Sequence, residues 1–267
     1  MKRLILTLAS VLTAALASAQ TEGIADFKMS SGDSMNGTGR MYFAKGGYRS
    51  DWSMEADASG SRSKARGGKA ATTKLSMIGR ASEPDVVYMV NDETKSYTVW
   101  DAKKARDEAS KSKDKYTVER LGTDTVGGIS CQNVRVKSSN GADMEVCMAK
   151  DIAAPAGWLS AMGRNAGGAS WVGEMHAAGV DGFPIRWITR SGRSEKTTME
   201  LTKFERKAVP ASTFAIPAGY EKTDPMSVGL NSEQRKQLDD AMSQMTPEQR
   251  KQVEEMMKQH GQPTPRN

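Results

Sequence analysis

Two cysteines and two histidines are the residues of this chain whose side chains most readily do chemistry. Cys131 and Cys147 suit a disulfide or, with histidine, a zinc site, and His176 and His260 suit proton transfer or metal binding. The histidines lie far apart in the sequence, and His176 is expected in a solvated loop rich in Gly and Ala. We therefore expect no metal centre, no cofactor and no catalytic histidine.

The chain lacks the motifs that mark common enzyme classes. It contains no Gly-x-Ser-x-Gly elbow, no His-Glu-x-x-His, no P-loop and no dinucleotide fingerprint. Adjacent carboxylates at Asp239-Asp240 and Glu254-Glu255 are explained by the solvated face of an amphipathic helix. The 17 methionines suit Cu(I). Their alternation along strands and helices instead favours adaptable packing or a soft lining for an apolar ligand.

A β-hairpin is predicted around the cysteines, because apolar and polar residues alternate on both sides of Ser138–Gly141. The apolar residues of the two runs are Val134, Val136, Met144, Val146 and Met148. If these side chains share one face, both cysteines fall together on the other face. That register also sets two basic residues across from two acidic ones, namely Arg135 and Lys137 across from Asp143 and Glu145. We predict a disulfide, with two free thiols as the alternative.

The N-terminus has the three parts of a cleavable signal peptide. Lys2 and Arg3 supply positive charge, Leu4–Leu16 is a short apolar run, and Ala17–Ala19 is a small-x-small cleavage signal. Cleavage after Ala19 predicts a periplasmic or secreted protein with no transmembrane segment in the mature chain. The predicted export and the only mildly positive formal net charge, +6 for the full chain at pH 7, mean that nucleic acid is not an expected partner.

Short strands dominate the sequence from Ile24 to Tyr220, and close turns separate them. This pattern predicts a mainly β fold with some α (α+β). The sheet is expected to be antiparallel and curled, or an incomplete β-barrel. The predicted strands are Ile24–Met29, Gly39–Ala44, Tyr48–Glu55, Lys74–Ile78, Asp85–Val90, Ser96–Asp101, Lys115–Leu121, the two cysteine runs, Pro184–Arg190 and Lys196–Phe204.

Two segments interrupt the strands in ways that bear on function. Residues 57–69 are basic and rich in Ser and Gly, which favours a solvated loop over an anion-binding one. Further on, Trp158, Leu159 and Met162 form one side of a short predicted helix before a glycine-rich stretch. That helix is expected either as a lid over the sheet or as a plug for the open end of the core.

The C-terminal tail contains two similar helix starts, Leu230–Gln234 and Met245–Gln249. In the second, Thr246 is predicted to cap the helix, Pro247 to take its first position and Gln249 to close a capping box. Each copy is followed by an apolar stripe, so the tail is predicted to be a helical hairpin. Helices this short are marginal alone, so they are expected to dock on the β-domain, on each other or on a partner.

The residues from Tyr116 to Cys131, and from Glu145 to Ile152, resemble a bacterial exported family of unknown function (family 4412). Gly182–Arg186 and Pro210–Tyr220 fit the same pattern. That family is similar in outline to the lipoprotein carrier LolA, which implies a half-barrel with helices over an apolar cavity. The tail resembles the Leu-Thr-x-x-Gln proteins of the Spy type. The expected organisation is a signal peptide (1–19), a LolA-like β-domain (20–224), amphipathic helices (225–260) and a disordered tail (261–267).

Together these observations predict a non-enzymatic periplasmic protein that holds a lipid, a lipoprotein or another apolar ligand in a half-barrel. The residues expected to line the ligand are Val134, Val136, Met144, Val146, Met148, Trp158, Leu159 and Met162. The alternative is an envelope stress or interaction protein that contacts a partner through its C-terminal helices. A hydrolase with an unrecognised site is a third hypothesis, which no motif supports.

Overall fold

The computed structural model describes residues 22–32, 35–56, 72–104, 107, 114–154, 158, 170–191, 195–223 and 232–249. Most of these residues belong to β-strands. The strands are β1 (Gly23–Ser31), β2 (Met35–Ala44), β3 (Gly47–Ala56), β4 (Thr72–Arg80), β5 (Glu83–Asn91), β6 (Ser96–Asp101), β7 (Tyr116–Val126), β8 (Ile129–Ser138), β9 (Asp143–Ala149), β10 (Phe183–Ser191), β11 (Glu195–Glu205) and β12 (Glu221–Lys222). The helices whose bounds lie within the described residues are α1 (Ser170–Ala177), α2 (Ser232–Ser243) and a 3-10 turn at Ala211–Phe214.

All twelve strands join one sheet in the order β12-β6-β5-β4-β3-β2-β1-β11-β10-β9-β8-β7. Neighbouring strands are antiparallel except β12, which runs parallel to β6. The sheet does not close, because β12 and β7 each form a free end of the order. The predicted mainly β, open antiparallel fold is confirmed, and each predicted strand is present. The two-residue strand β12 was missed because it has no alternating pattern to detect.

The sheet is strongly curled. Phe43 on β2 and Phe183 on β10 are separated by β1 and β11, which in a flat sheet means about 14 Å between the strands. Their ring centroids are nevertheless 5.4 Å apart. The face that carries both rings is therefore concave. Since residues opposite each other in register share a face, the register assigns the other strands' residues to this face or to the convex one.

The cysteine hairpin forms in the predicted register. Val134 pairs with Val146, Arg135 with Glu145 and Lys137 with Asp143. The valines are fully buried. The ion pair of Arg135 is diagonal across the two strands. Its guanidinium donates two hydrogen bonds, 2.9 and 2.8 Å long, to the Asp143 carboxylate rather than to Glu145 directly opposite. Glu145 instead accepts a bond of 3.0 Å from Arg190 on β10.

The two cysteines form the predicted disulfide on the convex face, with their Cα atoms 5.4 Å apart. Cys131 pairs in register with Asp124 on β7, and Cys147 pairs with Arg186 on β10. The Arg186 guanidinium donates a 2.6 Å bond to the Asp124 carboxylate. This ion pair joins strands that lie on either side of the hairpin, so it extends over the disulfide. The cysteines are accordingly 3% and 0% exposed, although the surrounding face is charged.

A second apolar cluster covers the convex face of the other half of the sheet. Ile78 and Val90 pack there against Val209 and Phe214, which follow β11. The Arg80 guanidinium donates a 3.0 Å bond to the Phe214 carbonyl oxygen and fixes this segment on β4. The half of the sheet made by β3 to β6 is thus supported from its convex side by the chain itself.

We expect Asp124→Asn to speed reduction of the disulfide by dithiothreitol severalfold at pH 7, because the cover over the sulfurs is lost. The pKa of Asp124 lies below its usual 3.8, mainly because Arg186 donates to it. The ion pair therefore stabilises the fold above about pH 3.8, and this contribution is lost as the pH falls through the lowered pKa. The difference in unfolding free energy between wild type and variant should narrow in acid.

The matched control is Asp143→Asn, which removes the ion pair with Arg135 on the same hairpin without uncovering the sulfurs. Equal reduction rates for both variants would show that the Asp124 pair does not shield the disulfide.

Candidate functional site

The concave face has a covered half, formed by β8 to β11 with β1 and β2. The predicted lining residues on the cysteine hairpin all lie here and belong to one cluster: Val134, Val136, Met144, Val146 and Met148. Their exposed fractions are between 0% and 3%. The side chains are brought together as predicted, and they are already packed against the protein's own residues. Their role as a ligand lining remains a prediction.

Tryptophans from outside the sheet cover this half. The Trp158 ring stacks on Phe183 with centroids 4.9 Å apart. From α1, Trp171 meets Trp187 edge to face at 5.0 Å, and Met175 is buried one turn later. Trp158 is thus found over the sheet, in the location that a lid or a plug requires. The other two predicted lid residues, Leu159 and Met162, lie outside the described residues.

The prediction that His176 lies in a loop is wrong, because it occupies the last turn of α1. Gly179, with φ of +67°, ends the helix in a Schellman motif. In this motif the Val180 N–H donates to the Met175 carbonyl at 2.9 Å, and the Gly179 N–H donates to the His176 carbonyl at 2.8 Å. The His176 imidazole is exposed and bonds Asp181 at 2.7 Å, which raises its pKa.

A guanidinium from the sheet holds the end of α1 in place. Arg120 on β7 donates bonds of 2.5 and 3.3 Å to the carbonyl oxygens of Ala178 and Gly179. A positive charge at this position also interacts favourably with the helix dipole. The cover over the buried half therefore combines the apolar packing of Trp158 and of α1 with the polar attachment at Arg120.

The other half of the concave face, on β3 to β5, keeps large apolar side chains partly exposed. They are Trp52, Met54, Leu75, Met77 and Met89, which we call the open patch. The register makes the patch continuous, because Trp52 pairs with Leu75 and Met77 pairs with Met89. Trp52 also contacts the covered half through Phe27, with ring centroids 6.2 Å apart. The open patch is therefore an extension of the core surface that side chains do not fully bury.

Two buried hydroxyls border the open patch. Tyr48 and Ser50 share its face on β3, and neither hydroxyl has a hydrogen-bond partner among the described residues. Burial raises the pKa of Tyr48 well above its usual value of 10, so the phenol stays protonated. Most buried hydroxyls in proteins are hydrogen-bonded, so this pair is an unusual feature of the concave face.

The open patch was not predicted, although its signal is visible in the sequence. On β3, Tyr48, Ser50, Trp52 and Met54 alternate with Arg49 and other polar residues. That alternation assigns them to one face, but only the curl of the sheet and the position of α1 decide which half of the face is covered. The predicted lining residues of the cysteine hairpin alternate more clearly, and they belong to the covered half.

Other chemistry is sparse in the part of the chain that the structure describes. No cluster of three His, Cys, Asp or Glu residues that could hold a metal ion occurs there. Within the same residues, no helix is both long enough and apolar enough to span a membrane. The lowered pKa values of Asp124 and Asp143 come mainly from bonds to single arginines, Arg186 and Arg135, which are structural ion pairs.

The predicted capping box in the tail is present. The Gln249 N–H donates to the Thr246 hydroxyl at 3.2 Å, and the Gln249 side-chain oxygen accepts from the Thr246 N–H at 2.9 Å. A helix begins directly after it, at Pro247. In the first copy α2 begins at Ser232, as a cap at Asn231 requires, but Asn231 itself lies outside the described residues.

Comparison with known proteins identifies the family. The family described as domain of unknown function (DUF4412) matches residues 21–220, so the chain belongs to it. A search of curated proteins gives no match.

Solved structures with a similar outline are very distant in sequence. An uncharacterized conserved protein from Thermus thermophilus is 10% identical, with 76% of this chain and 90% of that chain covered and a TM-score of 0.43. MucB in the MucA/MucB complex of Pseudomonas aeruginosa is 12% identical, with 76% and 57% covered and a TM-score of 0.40. The chain spans just over half of the MucB chains. Similarity at this level does not identify a shared function.

We expect Gly179→Ala to lower the free energy of unfolding by about 1–2 kcal/mol, because an L-residue is strained at positive φ. A Cβ at this position would also lie 3.2 Å from the Arg120 guanidinium. The control is Gly173→Ala within α1, where a Cβ meets nothing within 4 Å. That change should instead stabilise by up to about 1 kcal/mol. Urea unfolding measures the free energy of unfolding of both variants. If both changes stabilise or both destabilise the protein, Gly179 does not have the special role at the end of α1 that its positive φ indicates.

Proposed function

We propose that this member of the DUF4412 family is an exported, non-enzymatic binding protein that holds an apolar ligand on the concave face of its sheet. The observation that carries the proposal is the open patch, five large apolar side chains left partly exposed on one concave surface. Contiguous exposed apolar surface in a folded protein commonly marks a site for a ligand or a partner. A curved sheet suits a ligand that the protein wraps on one side.

The composition of the open patch favours a flexible hydrocarbon. Three of its five members are methionines, whose unbranched thioether side chains adjust to irregular or variable apolar shapes. Trp52 adds a broad rigid surface that is fixed against Phe27. An acyl chain lying across β3 to β5 would cover these side chains and complete the core that α1 and Trp158 cover in the other half.

The covered half offers additional room if its cover moves. α1 is held on the sheet by buried Trp171 and Met175, by partly buried Val172 and by the Arg120 attachment at its end. Displacement of α1 and Trp158 would expose Val134 and its neighbours on the cysteine hairpin. In this proposal the predicted lining residues accept a second portion of a long ligand.

The disulfide and the N-terminus support a location outside the cytoplasm. Disulfides persist in oxidising compartments and are rare in the cytosol. The bond between Cys131 and Cys147 therefore supports export through the predicted signal peptide, and with it a ligand found in the periplasm or outside the cell.

The C-terminal helices support a second candidate function, the capture of a partner protein. Met242 and Met245 on the apolar stripe of the tail remain partly exposed, and the capping box at Thr246 defines where the next helix begins. An amphipathic helix with an exposed apolar stripe can dock in a groove of another protein.

Replacing Met77 and Met89 together by Gln should weaken the binding of a fluorescent acyl-chain probe by about tenfold or more, because each change removes apolar contact area. The control is Val99→Gln, a partly exposed apolar residue on the convex face of β6. Fluorescence titration measures the affinity of the probe for the wild type, the double variant and the control. Equal affinities for wild type and the double variant would contradict binding at the open patch.

Truncation after Asp224 separates the two candidate functions. The truncated protein should bind the acyl probe with unchanged affinity, because the open patch lies on β3 to β5. Native mass spectrometry of protein purified from the periplasm should likewise show any co-purified lipid on both forms. If the truncated protein keeps its β-sheet circular dichroism but loses the probe, binding depends on the tail and the second candidate is favoured.

A further inference from the structure

The buried hydroxyls of Tyr48 and Ser50 indicate that the concave face is not built for hydrocarbon alone. The two residues are 2% and 1% exposed, and neither oxygen has a hydrogen-bond partner in the described part of the chain. They stand two residues apart on the same face of β3, next to the open patch. A pure hydrocarbon ligand could not form hydrogen bonds with these two oxygen atoms, and burying them without partners is unfavourable.

The position of Tyr48 depends on the strand beside it. A Cβ at Gly79 on β4 would lie 2.2 Å from the Tyr48 ring and 2.9 Å from its hydroxyl oxygen. The ring therefore lies flat against the bare backbone of β4, with its hydroxyl still on the concave face. Ser50 pairs in register with Met77 of the open patch. Both hydroxyls thus lie beside the surface where the hydrocarbon is proposed to bind.

The residues directly beside the two hydroxyls on the neighbouring strands carry no charge. The residues that pair with Tyr48, Ser50, Trp52 and Met54 are all uncharged: Phe43, Met41, Gly39 and Gly37 on β2, and Gly79, Met77, Leu75 and Thr73 on β4. The nearest charges on β3, Arg49 and Asp51, point to the convex face, where they bond each other at 2.8 Å. A carboxylate placed beside Tyr48 would find no counter-charge on these strands, and burying an unpaired charge is costly.

We infer that the ligand carries a neutral carbonyl, as an acyl ester or amide does, and that the Tyr48 and Ser50 hydroxyls donate hydrogen bonds to it. The acyl chain then extends from this carbonyl over the open patch. The inference rests on the proposed function, and it narrows the ligand to acylated molecules bound by their linkage rather than free fatty acids or hydrocarbons. Phenol and alcohol donors suit this carbonyl because neither ionises in the buried site.

Three probes with an 18-carbon chain and one carbon–carbon double bond test the inference: methyl oleate, oleate and 1-octadecene. The full mature protein should bind methyl oleate about 3- to 10-fold more tightly than 1-octadecene, which is the effect of one or two net hydrogen bonds. Oleate should bind most weakly at pH 8, where its carboxylate is charged. In Tyr48→Phe/Ser50→Ala, the preference for methyl oleate over 1-octadecene should disappear while 1-octadecene binding is kept.

The control is Tyr88→Phe, which removes a hydroxyl that donates a 3.0 Å bond to Glu83 on the convex face. It should keep the preference for the ester. Binding of methyl oleate and 1-octadecene with equal affinity to the wild type would overturn the inference, because water alone would then satisfy the hydroxyls, and would leave the proposed function standing. Failure of all three probes to bind would overturn both. Thermal melts establish that each variant is folded.

Discussion

The pairing of β1 with β11 is the constraint on which the rest of the structure depends. β1 forms a regular ladder with β2 on one side and joins β11 on the other, where Phe27 lies opposite Leu201. Without this second ladder the chain would contain two separate antiparallel stacks, β1 to β6 and β7 to β11. The ladder joins them into one sheet and sets the curl that brings Phe43 to Phe183. The concave face exists because this pairing is made, and Ala25 and Phe27 at its centre are almost fully buried.

The two halves of the sheet are stabilised on opposite faces. On β8 to β11 the concave face is packed under α1 and Trp158, and the convex face is a charged surface in which the disulfide is covered by an ion pair. On β3 to β6 the convex face is packed by Val209 and Phe214, and the concave face stays partly exposed. The partly exposed patch therefore lies on the half of the sheet that is packed from its convex side, so under the proposed function the ligand and the stabilising packing would occupy opposite faces.

The local features were predictable from the sequence, and the long-range ones were not. The strands, the register of the cysteine hairpin and the capping box at Thr246 follow from alternation, turn residues and spacing over a few residues. The pairing of Ser31 with Thr197, 166 residues apart, leaves no local signal. The division of the concave face into a covered and an open half depends on that pairing. Alternation along β3 therefore places Tyr48 and Trp52 on one face but does not show that part of this face is left uncovered. The helical position of His176 was missed because α1 is short and follows a glycine-rich stretch that resembles a loop.

The separation between β1 and its partner also has a consequence for how the chain reaches its final shape. The cysteine hairpin closes between residues only 16 apart, so it can form as soon as its own segment emerges into the oxidising compartment. β1 emerges first and yet must wait for β11, which follows almost the whole sheet. During that interval one edge of β1 and the side chain of Phe27 are available to other chains, and long-range strand pairing is slow. The earliest strand of this protein is thus the one that waits longest for its second partner strand.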